Sequence, residues 1–521
     1  MPDTCMIPGR IIRLYFFLLL MVSLLFCLDA NYVAAQNKTQ VEIDNADTFE
    51  GDESLGKNVS RLLGNVRFRH QGALMYCDSA YLYQETNSLD AFGRIRIVQG
   101  DSINLTGNFL KYDGNSRQAK VTGNVVMTDR DMVLVTDVLN YNMNSETAEY
   151  FDGGKITDKQ NVLTSKSGYY FSKDRIVFFK DSVKVVNPKY FILADTLKYQ
   201  TVSKVVVFEG PTNIYSTGTD SSVIYCENGW YNTITEKSIF KSNAVITSKA
   251  NRLAGDSLVY DNKTTIGNAF GNVAISDTVQ KVIITGDYGY NNDASKYSLV
   301  TGRAIMIKIF ETDSLFLHAD TLYASQDTTT KNRTWIAFHG VRIFKKDLQG
   351  KCDSLVYNTS DSTLSFFYEP VLWSDQNQLT AVHMYLRMAN SKLDQLYLKD
   401  AAFITSKEDT ARFNQIKGRN MTGYFIDNKL NSIHVEGNGQ SIYYTQNSKK
   451  QFTGVNRADC SDMLIFIKES KVNSITMINK PDATMYPINE LNVNELKLKG
   501  FVWREELRPK SKEDIFLKEL K

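Results

Sequence analysis

The sequence of 521 residues is poor in the residue types on which catalysis and metal binding most often depend. Its 5 histidines are scattered, and its 6 cysteines include no Cys-x-x-Cys pair, so the common zinc-site spacings are missing. Gly-x-Ser-x-Gly, His-Glu-x-x-His and phosphate-binding glycine-loop motifs are also missing. We therefore expect a protein that is not an enzyme and that carries neither a cofactor nor a metal.

Proline and net charge are low as well. The 60 Lys+Arg residues nearly balance the 58 Asp+Glu residues, which argues against the clearly basic face of a nucleic-acid-binding protein. With only 8 prolines but 28 tyrosines and 28 phenylalanines, the composition favours strands. The hydrophobic fraction of 43% is typical of a chain that folds.

The one long apolar run lies near the N-terminus. Two arginines precede an uncharged stretch at 14–28, and the small residues at 33–35 allow cleavage before Gln36. Because the run is shorter than the ~20 residues of a spanning helix, we expect residues 1–35 to be a cleaved signal peptide, with a retained anchor as the alternative. Residues 36–61 are polar and acidic, and we expect a flexible lead-in there.

A repeat occupies most of the remaining chain. Its first half is GNVRF at 64–68, its second half is CDSAYLY at 77–83, and tyrosines recur every 29 residues from Tyr83 to Tyr199. A fixed period predicts one supersecondary unit stacked many times around a shared core. We place this β-repeat domain at 62–487, with two tandem modules as a possibility, and a C-terminal cap or tail at 488–521.

Within each unit, apolar side chains alternate with polar ones, as in half-buried strands. We expect two short antiparallel strands per unit, with turns at Gly64, Gly93 and their counterparts opening successive units. The inward side chains form an apolar row: Val66, Phe68, Ile95, Ile97, Val125, Met127, Val183, Val185, Val273 and Ile275. In a closed sheet this row is core. In a partly open sheet it is a trough that shields acyl chains, at ~0.8 kcal/mol per buried methylene.

Asp-Ser and Asp-Thr pairs, such as Asp78-Ser79, recur in the second half of the unit. A pair of carboxylates could serve glycoside hydrolysis, as in a polysaccharide-active β-helix. Because nearly every unit carries such a pair, we interpret it as structural, with its oxygens bonding backbone groups. Of the four cysteines outside the signal peptide, Cys77, Cys226, Cys352 and Cys460, three occupy a repeat position filled elsewhere by alanine or glycine. We expect free, buried thiols there, with disulfides as the alternative in an exported protein.

The motif Gly-Asn-Val-x-apolar followed by small-Asp-Ser/Thr-Leu-x-Tyr resembles the OstA/LptA family of lipopolysaccharide-transport proteins. The resemblance covers about 62–444 and is clearest at 64–141 and 254–275. It implies an all-β, elongated repeat of antiparallel strands in a twisted, partly open jelly roll, or β-taco; a β-solenoid is the alternative. It also implies a periplasmic protein that holds the lipid A acyl chains of lipopolysaccharide along the apolar row.

The same resemblance implies inner- and outer-membrane lipopolysaccharide-transport components as partners, joined through edge-strand addition, and possible self-association. A closed β-solenoid acting as a surface scaffold or adhesin is the alternative function. In the tail, Phe501 and Trp503 are expected to form the core of the cap or, alternatively, to anchor another protein. Residues 511–521 could form a short terminal helix.

Overall fold

A computed structural model of the protein describes residues 39–51, 58–158, 161–218, 222–249, 251–389, 392–427, 429–468, 471–488 and 496–516. The predicted signal peptide at 1–35 lies outside the described residues. The chain divides into two compact units, the first ending at Glu149 and the second beginning at Tyr150.

Antiparallel strands build both units, which confirms the all-β prediction. The first unit contains β1 Glu42–Asn45, β2 Thr48–Gly51, β3 Val59–His70, β4 Ala73–Tyr83, β5 Ser88–Gln99, β6 Ile103–Asp113, β7 Gln118–Asp129 and β8 Met132–Asn142. The division between the units falls within β9, Thr147–Tyr150. β1 and β2 lie in the polar stretch for which no alternation predicted strands, and both pair with β3.

The second unit continues the same pattern as far as Pro487. Its strands are β10 Gly154–Asp158, β11 Asn161–Ser165, β12 Ser167–Phe171, β13 Ile176–Asn187, β14 Tyr190–Gln200, β15 Val205–Ser216, β16 Ser222–Asn232, β17 Lys237–Ser248, β18 Asn251–Asp261, β19 Ile266–Asp277, β20 Val282–Asn292, β21 Tyr297–Ile309, β22 Ser314–Gln326, β23 Arg333–Phe338, β24 Val341–Lys345, β25 Leu348–Cys352, β26 Ser354–Asn358, β27 Thr363–Phe367, β28 Val371–Ser374, β29 Asn377–Thr380, β30 His383–Ala389, β31 Lys392–Lys407, β32 Phe413–Ile426, β33 Lys429–Gln446, β34 Phe452–Lys468, β35 Lys471–Ile478 and β36 Asp482–Pro487. Two short 3₁₀ helices follow, Glu505–Leu507 and Asp514–Phe516.

The prediction that Gly64 opens a unit with a turn is wrong, because β3 runs through it without a break. Gly64 and Asn65 both adopt positive φ, +75° and +44°, and insert a bulge into the ladder with β4. A bulge bends a strand and shifts its alternation. Side chains on both halves of β3 therefore face one interior, Leu62 before the bend and Val66 after it. The reversal of the chain comes later, at Gln71-Gly72.

The recurring aspartates sit at these bends, which supports their structural interpretation. Asp78 lies against the bend of the next strand, where the Arg94 Nε donates to its Oδ1 at 2.7 Å, and a Cβ on Gly93 would overlap its carboxylate. In the second unit, Asn272 Nδ2 lies 3.0 Å from Asp256 Oδ2 in the same arrangement. At Gly93 and Gly271 the aspartate lies against the bend of the neighbouring strand, and glycine is needed there because a Cβ would overlap the carboxylate.

In each of the two compact units, the bends fold the sheet into two walls that face each other. In the first unit, the first wall contains residues 59–63 of β3 and the half-strands paired with them; the second wall contains 66–70 and its partners. In the second unit, residues 176–180 and 183–187 of β13 mark the same two walls. This folded antiparallel sheet is the predicted jelly-roll arrangement; the parallel stacking of a β-solenoid is not observed in the described strands.

The C-terminal segment 496–516 packs on the chain's own second unit. Leu496 and Leu498 are buried in a cluster with Phe403 and Tyr444, and the rings of Phe501 and Trp503 both pack on Phe413, at 5.2 Å between centroids. Both aromatic residues therefore contribute to the core of the cap.

Of the terminal helix expected at 511–521, the described residues form only the one turn Asp514–Phe516. Residues 517–521 lie outside the described part of the chain.

Candidate functional site

The second wall carries one apolar row that runs across successive strands. In antiparallel ladders, residues directly opposite each other lie on the same side of the sheet. By this register the row in the first unit links the following interior side chains: Phe68, Met75, Ile97, Leu105, Met127 and Leu134. All six are at most 1% exposed, so the interior of the first unit is filled by its own side chains.

In the second unit the corresponding row is buried at its two ends and partly exposed between them. Val185 and Ile192 are 3% and 1% exposed, and Leu317 is 5% exposed. One apolar side chain from each of β15 to β21 is partly exposed: Ile214, Ile224, Ile246, Leu253, Ile275, Ile284 and Met306. We call these residues the apolar trough.

The first wall contributes to the partial exposure of the trough. Where it faces the trough, its inward positions carry large side chains, such as Leu258 and Tyr260, together with small ones at Gly267, Gly289 and Ser298. Aligned on their bends, Gly267 and Ser298 correspond to Leu89 of the first unit, and Gly289 corresponds to Leu110. At these positions the smaller side chains leave more of the facing row exposed.

Polar pairs join the two walls where the interior is closed. In the first unit, the Tyr112 hydroxyl lies 2.6 Å from Nδ1 of His70, which is 1% exposed, and the Tyr141 hydroxyl donates to Gln99 Oε1 at 3.1 Å. Burial raises the pKa of Tyr112 to about 12, so this hydroxyl stays protonated at neutral pH. These tyrosines belong to the series spaced by 29 residues, which we call latch tyrosines.

The second unit has its own latch beside the trough. The Tyr199 hydroxyl donates to Asp158 Oδ2 at 2.7 Å, and Lys204 Nζ lies 2.8 Å from the same oxygen. Burial, and then the Asp158 carboxylate, raise the pKa of Tyr199. The rings of Tyr190, on β14, and Tyr231, on β16, meet edge to face with their centroids 6.0 Å apart.

All ten residues predicted from the sequence lie on the interior side of the walls, but their surroundings differ. Nine are at most 3% exposed: Val66, Phe68, Ile95, Ile97, Val125, Met127, Val183, Val185 and Val273. Ile275 alone among them is partly exposed, in the middle of the trough. Contact of these residues with a lipid stays a prediction.

Sequence reasoning missed the trough residues contributed by the return strands, such as Ile224, Leu253 and Ile284. Their signal was available, because each stands two positions from the small residue at the bend, as Leu253 does from Gly255. The exposure of the row had no such signal, since it depends on the opposite wall.

Chemistry beyond apolar contact has little support among the described residues. They contain no group of three or more His, Cys, Asp or Glu side chains placed to hold a metal ion. Cys77, Cys226 and Cys352 are free and buried, as predicted, and burial raises the pKa of each thiol to about 12. Cys460 is also free but only partly buried. No helix in the described part of the chain has the length and apolar character needed to cross a membrane.

A family model agrees with the resemblance of the repeat motif. Residues 38–195 match a family model described as OstA-like protein, which confirms that resemblance over this part of the chain. Among solved structures, the chain is similar to LptH, the LptA-homologous periplasmic component of the conserved lipopolysaccharide transport device from Pseudomonas aeruginosa. The identity is 16% and the TM-score 0.21, over 22% of this chain and 93% of that chain. The comparison with curated proteins gave no match.

Proposed function

Starting from the OstA-like character of residues 38–195, we propose that the protein is a non-catalytic periplasmic bridge that carries lipopolysaccharide toward the outer membrane. The observation that carries this proposal is the partly exposed apolar trough of β15–β21. The trough holds the acyl chains of lipid A, while the sugars stay in water. The predicted signal peptide at 1–35 supports export to the periplasm.

The dimensions and chemistry of the trough suit acyl chains. Each wall is about five residues deep, which corresponds to ~16 Å for an extended strand. This depth is comparable to the length of an acyl chain of ordinary size. Burial of each methylene contributes about 0.8 kcal/mol, so one chain of a dozen methylenes gains on the order of 10 kcal/mol before the costs of binding.

Free strand edges at the two ends of the repeat support the proposed partners. In the described residues, β1 and β2 pair with β3 on one side, and Phe49 and Ile43 are 57% and 38% exposed. At the other end, β35 and β36 both pair with β34. Inner- and outer-membrane transport components add strands at these edges, and two copies of the chain can associate in the same way.

Site-specific photo-crosslinking in cells tests the lipid contact. A photo-reactive residue at Ile275 should label lipopolysaccharide, whereas one at Ile97, in the same row position but 0% exposed, should label it far less. Phe68, also 0% exposed, is a second buried control. Absence of label at Ile275, with normal lipopolysaccharide export after depletion of the protein, contradicts the proposal. If the protein then fractionates outside the outer membrane, the scaffold alternative is favoured.

A further inference from the structure

The C-terminal segment 496–516 lies on the outer side of the second wall in the second unit, over a row of buried glutamines. Gln349, Gln378 and Gln415 are 3%, 1% and 1% exposed. They alternate along their strands with core residues such as Leu379 and Ile416, so they point away from the interior. Glutamine is mostly an exposed residue, and a buried row of it requires partners.

Two of these glutamines bind the backbone of the segment in the same way. Gln415 Nε2 donates to the Leu496 carbonyl at 3.0 Å, and the Leu498 amide donates to Gln415 Oε1 at 2.8 Å. Gln378 Nε2 donates to the Val502 carbonyl at 2.7 Å, and the Arg504 amide donates back at 2.7 Å. Each side-chain amide thus contacts the carbonyl of one residue and the N–H two positions later.

This pattern selects an extended backbone. A side-chain amide can donate and accept at once, which an alcohol or a carboxylate cannot do with the same spacing. The two glutamines recognise an extended peptide much as a neighbouring strand would, independently of the side chains of that peptide.

Side-chain contacts on both sides of these backbone bonds supply the selectivity. Leu496 and Leu498 enter the cluster with Phe403 and Tyr444. Farther along, Arg508 Nε donates to Gln349 Oε1 at 2.8 Å. Near the end of the segment, the ring of Phe516 lies 4.9 Å from that of His318, beneath the Arg303 guanidinium.

We propose that this outer face is a peptide-recognition site and that residues 496–516 are its resident ligand, bound reversibly. The ligand class is an extended peptide with a Leu-x-Leu pair followed by aromatic residues at alternate positions. A permanently covered core is better served by apolar residues, whereas glutamine is satisfied both by water in the free site and by backbone in the occupied one. The buried glutamines therefore indicate a surface built for both states.

Cleavage of the folded full-length chain tests this proposal. A specific protease sequence replaces residues 489–495, the folded protein is cleaved, and a fluorescently labelled peptide of sequence 496–516 is added. We expect the cleaved segment to stay bound, and the labelled peptide to replace it saturably, with increased fluorescence anisotropy, while a scrambled peptide does not bind. Failure of the labelled peptide to exchange overturns the proposal, as does loss of the β-sheet circular dichroism once the segment leaves.

Variants separate backbone recognition from general packing. Gln378→Ala and Gln415→Ala each remove two hydrogen bonds and should weaken peptide binding roughly 5- to 150-fold. Gln378→Glu keeps the acceptor but replaces the donor with a carboxylate oxygen that faces the Val502 carbonyl, so it should weaken binding at least as much as Gln378→Ala. Gln326→Ala, on the first wall where the amide donates to the Lys331 carbonyl, is the matched control and should bind normally. Equal affinities for all four variants contradict the assigned role of the amides.

Discussion

Replacement of a bend glycine by alanine should cost far more than replacement of a turn glycine with the same backbone conformation. Gly93 has φ +71° and Gly72 has φ +82°, so alanine at either position pays about 1–2 kcal/mol for left-handed backbone. A Cβ at Gly93 also overlaps the Asp78 carboxylate, whereas one at Gly72 meets nothing within 4 Å. Overpacking adds about 1–3 kcal/mol. Gly93→Ala should therefore cost about 2–5 kcal/mol, and Gly72→Ala only the first term.

Hydrogen exchange measured by mass spectrometry is the suitable assay, because stacked repeats need not unfold as one two-state unit. Backbone amides in peptides from β4–β6 should exchange about 5 to 150 times faster in Gly93→Ala than in Gly72→Ala. In a double-mutant cycle, Asp78→Ala should relieve part of the Gly93→Ala penalty. Equal costs for the two glycine variants, or strict additivity with Asp78→Ala, would refute the idea that the aspartate fixes the bend.

Two further predictions concern the latch tyrosines and the thiols. Tyr112→Phe removes the hydroxyl that contacts Nδ1 of the buried His70, at a cost of about 1–3 kcal/mol of stability. Amide hydrogen exchange should then rise in β3 and β6. An unchanged exchange rate would show that the walls do not need this contact. Cys77, Cys226 and Cys352, each with its pKa raised to about 12 against an ordinary value of 9, should resist iodoacetamide at pH 8 until the chain unfolds. Because the unfolded thiols ionise first, stability should fall as pH rises from about 9 to 12, and rapid alkylation of the folded protein at pH 8 would contradict the burial.

The sequence was sufficient to predict strands and the direction of their side chains, because alternation has a period of two wherever one side is buried. Val66 and Phe68 face the interior as expected. The sequence predicts a turn at Gly64 because Gly-Asn is a strong turn signal. Only the pairing of β3 with β4 distinguishes a bulge at Gly64-Asn65 from a turn.

The exposure of the trough could not be predicted from any single strand. Ile97 and Ile275 occupy the same row position in repeats of similar sequence. Ile97 is nevertheless 0% exposed, whereas Ile275 is partly exposed. The difference arises on the opposite wall, where Gly267 and Gly289 stand in place of bulkier residues. Such an effect depends on side chains that approach only after the sheet has folded.

The bend and its aspartate also determine how such a chain can change in length. Each 29-residue unit adds two strands, which lengthens the sheet by ~10 Å at a strand spacing of about 4.8 Å. The bend at Gly93 is fixed by Asp78, from the strand immediately before it. An added 29-residue repeat therefore carries both a bend and an aspartate that fixes one. The sheet can be lengthened or shortened by whole repeats, whereas a register shift of one residue would turn the interior side chains outward.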